Sequence, residues 1–171
     1  MDQFLFFLLR GVQVSAPVAF AAIGAVFSEK GGVINIGLEG IMLTTTFFVV
    51  WGSLTFGSFF VGVICALIAG VAMASIHALV TVTFKVNQII SGVSLNILAL
   101  GLTRFLSQRI YGQETQTPIN SEIYTRVLGV NVWAWLVIPM AGLAWYVLYR
   151  TLFGLRLRAV GENPEAADTL G

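Results

Sequence analysis

This sequence predicts an all-α fold: a polytopic transmembrane helix bundle of about five spans, with one discontinuous helix. Three observations carry the prediction. Of 171 residues, 57% are apolar and 10% are charged, and mean hydropathy is +0.90. Soluble domains carry about 25% charged residues, so this chain lacks the charge to solvate a globular surface. Its apolar residues gather in runs near the length that a helix needs to cross about 30 Å of hydrocarbon. A polar, glycine-rich stretch from Ser28 to Gly40 cuts between two of those runs.

The first span covers about Phe4 to Phe27, with Arg10 and Pro17 inside it. It is too long for a signal peptide, and its early flank carries Asp2 rather than a basic cluster. Beyond the break, a short span covers about Ile41 to Trp51, too short at about 1.5 Å per residue to cross unaided. Gly52-Ser53 closes it. A long span then runs from about Phe56 to Phe84 and ends at Lys85. The next covers about Ile89 to Leu106 and the last about Val132 to Tyr149, with an extended polar loop, Ser107 to Asn131, between them. Trp133 and Trp135 at the start of the last span, and Trp145, Tyr146 and Tyr149 toward its end, read as interfacial anchors.

Basic residues set the orientation. Arg150, Arg156 and Arg158 follow the final span, which places the C-terminus in the cytoplasm of a multi-pass cytoplasmic-membrane protein. Counting back, the 107–131 loop is external, Lys85 and the 28–40 break are internal, and the N-terminus is external. The net charge of +1 provides no surface for nucleic acid and no polybasic lipid patch. The single Cys65 lies in an apolar run, so no disulfide framework exists.

Ser58, Gly62, Ala66, Gly70, Ala74 and Ala78 are small residues four apart along the third span. In lipid, helices associate by close backbone approach, so this ridge marks packing inside the bundle; a homodimer face is the competing reading. The break admits two readings as well. Gly31, Gly32, Gly37 and Gly40 are poor helix residues, each costing about 1 kcal/mol relative to Ala. Irregular backbone at membrane depth lines an aqueous path or is buried in protein. Asn35 and Glu39, four apart, share a face if the segment is helical. The alternative is an ordinary cytoplasmic turn with Glu39 as a first-turn acid. Ser91 and Asn96 in the fourth span either line a polar solute's path or bond between helices.

The last eleven residues, Gly161 to Gly171, form a polar helix signal in an apolar chain. Pro164 suits a first helical turn, Asn163 an N-cap, and Glu162, Glu165 and Asp168 the positive end of the helix dipole. Ala166 and Ala167 leave one surface slim enough to enter a groove, and Gly171 suits a helix end.

These stretches resemble one family. Gly32-Val-Ile-Asn-Ile-Gly-Leu-Glu-Gly-Ile-Met42 is similar to the early signature of ABC importer permeases of the ribose, nucleoside and branched-chain amino acid group. Phe27-Ser-Glu-Lys-Gly31, Ser91-Gly-Val-Ser-Leu-Asn96 and Phe153 to Ala167 fit the same group in the same order. The Asn-Ile-Gly-Leu-Glu-Gly wording is nearest to the nucleoside and simple-sugar branch. The resemblance implies a permease that moves such solutes by alternating access. Its implied partners are an ATP-binding subunit, a second permease subunit (the same chain or another) and an extracytoplasmic solute-binding protein. The residue readings above, rather than the resemblance, make Asn35, Glu39, Ser91 and Asn96 the candidates for the substrate path. The resemblance gives ATPase coupling to Gly161, Asn163, Pro164, Glu165, Ala166, Ala167 and Gly171, with Arg156 and Arg158 as the basic approach; positive-inside anchoring is the other reading of those two arginines. Residues 1–149 then form a partial transmembrane permease domain and 150–171 a coupling-loop segment cut at its end. The resemblance implies a length of about 300 residues, so the chain reads as an N-terminal half, with a short natural form that pairs with a complementary chain as the other reading.

Enzyme chemistry has no support in the residues. Neither Lys30 nor Lys85 follows a phosphate-cradling Gly-x-x-x-x-Gly pattern, and there is no Cys/His metal set, so no cofactor is expected. The lone His77 has no nucleophile or acid partner recognisable in sequence and reads as a packed helix residue. Two alternatives stand beside nucleoside or sugar import: a branched-chain amino acid permease, and a membrane assembly protein that transports nothing.

Overall fold

The computed structural model describes residues 2–112, 126–127 and 130–169. Five helices in it are long and apolar enough to cross a membrane: Phe6–Lys30, Leu38–Phe56, Phe59–Thr83, Gln88–Tyr111 and Val132–Arg150. The protein is a multi-pass membrane protein. Its described residues divide into two compact units, one drawn from 1–34 and 124–171 and the other from 35–123.

The second of these contains α2 (Leu38–Phe56), α3 (Phe59–Ala78) and α4 (Gln88–Tyr111). α2 is longer than the sequence predicts: its 19 residues reach about 29 Å, a full crossing. Gly52-Ser53 does not stop it. A Cβ on Gly52 would stand 2.9 Å from the Gly62 Cα and 3.0 Å from the Cys65 Sγ, so glycine serves approach to α3 rather than helix breaking. Gly57, with φ +65°, is the actual stop. From the ridge on α3, Gly62 faces the Val49 carbonyl and Ser53, and Gly70 faces Thr45 and Ile41. The two helices therefore run antiparallel. Ala66, Gly70 and Ala74 line an open groove of about 590 Å³ with Thr45, Thr46 and Val49; Ala74 and Ala78 are exposed.

A π-helical turn, Leu79–Thr83, ends α3, and Lys85 takes the left-handed φ of 54°. Asn87 then caps α4, its Oδ1 accepting from the Ile89 and Ile90 amides at 2.9 and 3.3 Å. α4 runs in the same direction as α2: Gly37 and Gly40 meet Leu95 and Ala99, while Phe47 meets the Tyr111 ring at 6.3 Å. Met73, Leu95 and Ala99 form a core patch with Ile41 against it. Buried hydroxyls bond back into their own helices, Thr44 to the Gly40 carbonyl, Thr103 to Ala99 and Thr81 to His77, each at 2.8 Å. That pairing is what a water-free surrounding demands.

The other unit holds α1 (Asp2–Lys30), β1 (Arg126–Val127), β2 (Val130–Asn131), α5 (Val132–Trp135), α6 (Val137–Arg150), α7 (Leu152–Glu162) and α8 (Pro164–Thr169). α1 continues through Pro17. β1 and β2 make a two-residue antiparallel pair with Arg126 opposite Asn131. Ala16 and Ala134 form a small core with Leu9 and Val137. α4 runs on to Tyr111, so the predicted Ser107–Asn131 loop begins later than expected, and most of the rest of it lies outside the described residues.

Candidate functional site

Two places carry the residues singled out above. The first is the break. Its start is a helix C-cap of the Schellman type: the Val33 amide donates to the Ser28 carbonyl at 3.0 Å and the Gly32 amide to Glu29 at 3.0 Å. Gly32 supplies the left-handed φ of +84° that this cap requires. Asn35 follows, outside any helix, with its Oδ1 accepting from the Gly37 amide at 3.0 Å. It therefore does not share a helical face with Glu39, which sits exposed in the first turn of α2.

Within the second unit the break lies against α4. A Cβ on Gly37 would stand 2.7 Å from Leu95 Cδ2, one on Gly40 3.0 Å from the Ala99 Cβ, and one on Gly92 2.9 Å from the Gly37 nitrogen. Three glycines thus let two backbones meet. Asn96 completes the joint: its Oδ1 accepts from the Gly40 amide at 2.7 Å and its Nδ2 donates to the Ile36 carbonyl at 3.1 Å. Gly37, the N-cap of α2, has no side chain to satisfy the amides of the first turn. Asn96 does so from 56 positions away. Ser91 is buried, its Oγ 3.0 Å from the Nδ1 of buried His77; the His77 Nε2 is buried without a protein partner. Gly92 and His77 are participants that the sequence reading did not place here, whereas Ser91 was among its candidates.

The second place is the segment after α6. Thr151 turns the chain, its hydroxyl donating to the Val147 carbonyl and accepting from the Gly154 amide at 3.2 Å. Arg158 lies over the Tyr149 ring at 5.0 Å, with its Nε donating to the Gly154 carbonyl at 3.3 Å. Arg156 is exposed. Gly161 abuts the end of α1: a Cβ there would run into the Lys30 carbonyl oxygen and stand 3.0 Å from the Gly32 nitrogen. Asn163 caps α8, its Oδ1 accepting from the Ala166 amide at 3.0 Å, and Pro164 opens the helix where a missing N–H costs nothing. Glu165 and Ala166 are exposed and Ala167 is half-buried. Gly171 lies outside the described residues. Among the described residues no three His, Cys, Asp or Glu side chains gather as a metal site.

Residues 7–171 match the family described as the permease component of branched-chain amino acid transport systems. The chain belongs to that family. It is 43% identical to the nucleoside ABC transporter permease protein NupC of Lactococcus lactis subsp. cremoris, over 92% of this chain and 56% of that protein. It is 38% identical to the guanosine ABC transporter permease protein NupQ of Bacillus subtilis, over the same shares. A Haloferax volcanii protein, named provisionally as a glucose ABC transporter permease, is 35% identical over 94% of this chain and 53% of its own length. The chain spans about half the length of the curated relatives it matches. No solved structure matches it.

Proposed function

We propose that this chain supplies part of the membrane pathway of an ATP-driven importer that brings nucleosides across the cytoplasmic membrane. The observation that carries the reading is the 43% identity to a nucleoside permease across 92% of the chain. Guanosine in the name of a second relative favours nucleosides over branched-chain amino acids, despite the family's description. Simple sugars are the second reading, favoured by the relative named for glucose. In this proposal ATP is hydrolysed by a separate subunit, a second permease subunit completes the pathway, and a solute-binding protein delivers cargo from outside.

The residue roles follow from chemistry. α8 is the docking element, because it is short, capped, exposed and slim at Ala166 and Ala167. Arg158, stacked on Tyr149, anchors the approach to it, and Arg156 is available to the ATP-binding subunit. The C-terminus is cytoplasmic and the N-terminus external. The approach of Gly161 to Lys30 and Gly32 supports this, since it sets the end of α1 and the coupling segment on one side. Glu39 and Asn35 belong to the path, and Asn96 shapes it by fixing the start of α2. Ser91 acts through His77. Gly62 and Gly70 pack α3 against α2, while Ala66 and Ala74 in the open groove and exposed Ala78 are left to receive a neighbouring helix.

Uptake of labelled adenosine by cells carrying the full-length gene, compared with a deletion strain, tests the reading. Excess guanosine should abolish the difference, and ribose and leucine should leave it. Competition by leucine alone would transfer the cargo to the amino acid class; competition by ribose alone would transfer it to sugars.

A further inference from the structure

Resting on that reading, we infer that Gly161 positions the transport path rather than contacting the ATPase: it is the joint through which the coupling segment holds the end of α1. Four observations carry this. Gly161 has its Cα 3.2 Å from where a Cβ of Gly32 would be, and the reverse construction runs into the Lys30 carbonyl. Backbone therefore meets backbone with no side chain between them. The Gly32 it meets is the left-handed residue of a hydrogen-bonded cap, so that segment cannot yield without breaking the Val33–Ser28 and Gly32–Glu29 bonds. Beside it, Leu157 Cδ1 lies 3.0 Å from the Cβ position of Gly31, closing the same contact with an apolar side chain. Finally, Gly161 is two residues before the cap of α8 and Gly32 is four residues before Ile36, whose carbonyl Asn96 holds.

A joint of this kind transmits displacement because packed interfaces are bistable rather than continuously deformable. When α8 is moved by its partner, α7 carries the displacement to Gly161, and the cap of α1 must follow. The chain from Gly32 to Ile36 is tied by the cap at one end and by the Asn35 and Asn96 carboxamides at the other. A methyl group at 161 would hold α7 away from α1 while leaving the exposed surface of α8 unchanged.

The test uses the full-length permease with its ATP-binding subunit and solute-binding protein in proteoliposomes, reading nucleoside taken up per ATP hydrolysed. For Gly161→Ala, the ATP-binding subunit should remain bound, hydrolysis should stay within twofold, and uptake should fall at least tenfold. Proportional loss of hydrolysis and uptake, or uptake within twofold of the parent, would overturn the proposal. Leu157→Ala creates no clash, so it reports even if Gly161→Ala does not fold. It should lower uptake per ATP about threefold, and an unchanged ratio would overturn the proposal. A parent complex without nucleoside-dependent hydrolysis would instead refute the importer reading on which this joint rests.

Discussion

The unit containing α2, α3 and α4 and the unit containing α1 and α5–α8 both bring backbones together at glycines, but among the described residues only the first also buries polar side chains between its helices. In the first, helices bury polar side chains that are satisfied one by one: Thr44, Thr103, Ser91 with His77, and Asn96 with two backbone groups. The described residues of the second bury no polar side chain, and glycine meets backbone alone, at Gly154 over the Val147 and Leu148 carbonyls and at Gly161 over Lys30. α1 shows the contrast most clearly, since among its described residues Ala16 alone is buried, whereas α2 buries six. The lesson concerns what each region tolerates. A contact built on a side chain fails when atoms are removed, and one built on glycine fails when atoms are added.

Substitutions that add and remove atoms test that contrast. The largest effect is expected for Gly154→Val, whose Cβ would overlap two carbonyl oxygens. Overpacking typically costs about 1–3 kcal/mol and more where backbone must shift, so this variant should lose most of its folded yield in detergent, measured by size-exclusion chromatography. Next comes Asn96→Ala. It strips the Gly40 amide and the Ile36 carbonyl of a partner and should cost about 2–3 kcal/mol in thermal unfolding, with nucleoside uptake reduced in parallel. Ser91→Ala should cost about 1 kcal/mol, because it leaves the buried His77 with neither ring nitrogen bonded to protein. Smallest is Gly142→Ala, where a Cβ meets nothing within 4 Å; the helix should gain up to about 1 kcal/mol, read as a raised unfolding temperature. If Gly142→Ala destabilises as much as Gly154→Val, glycine contacts do not set what the second unit tolerates.

The sequence made the spans legible, because a helix in lipid needs an apolar window long enough to cross, and Phe59–Thr83, Gln88–Tyr111 and Val132–Arg150 each contain one. It misjudged α2. Gly52-Ser53 has the composition of a turn, and only the position of Gly62 and Cys65 across the contact reveals why a glycine stands inside a helix there. The glycines of the break were legible as a departure from helix, through their intrinsic cost, but not their purpose. Gly37, Gly40 and Gly92 are matched across more than 50 residues of chain, and no local rule pairs them. Asn96 was visible as a polar residue in a span that needs a partner; which partner depends on the register of α4 against α2. Asn163 and Pro164 were readable because capping is local, and the Oδ1 bond to Ala166 spans three residues. Gly161 lies in the same readable stretch, yet its neighbour, the end of α1, is about 130 positions earlier in the sequence.

The central claim is that the chain is the membrane subunit of an ATP-driven importer, and docking through α8 tests it most directly. The full-length protein would be purified from its own membranes, and an ATP-binding subunit carrying a Gly-x-x-x-x-Gly-Lys motif would be quantified by mass spectrometry. The account predicts that this subunit accompanies the parent permease at near-equal amounts and is lost from Ala166→Trp, with the variant still folded and in the membrane. Equal recovery with both proteins, or its absence from the parent, would contradict the account.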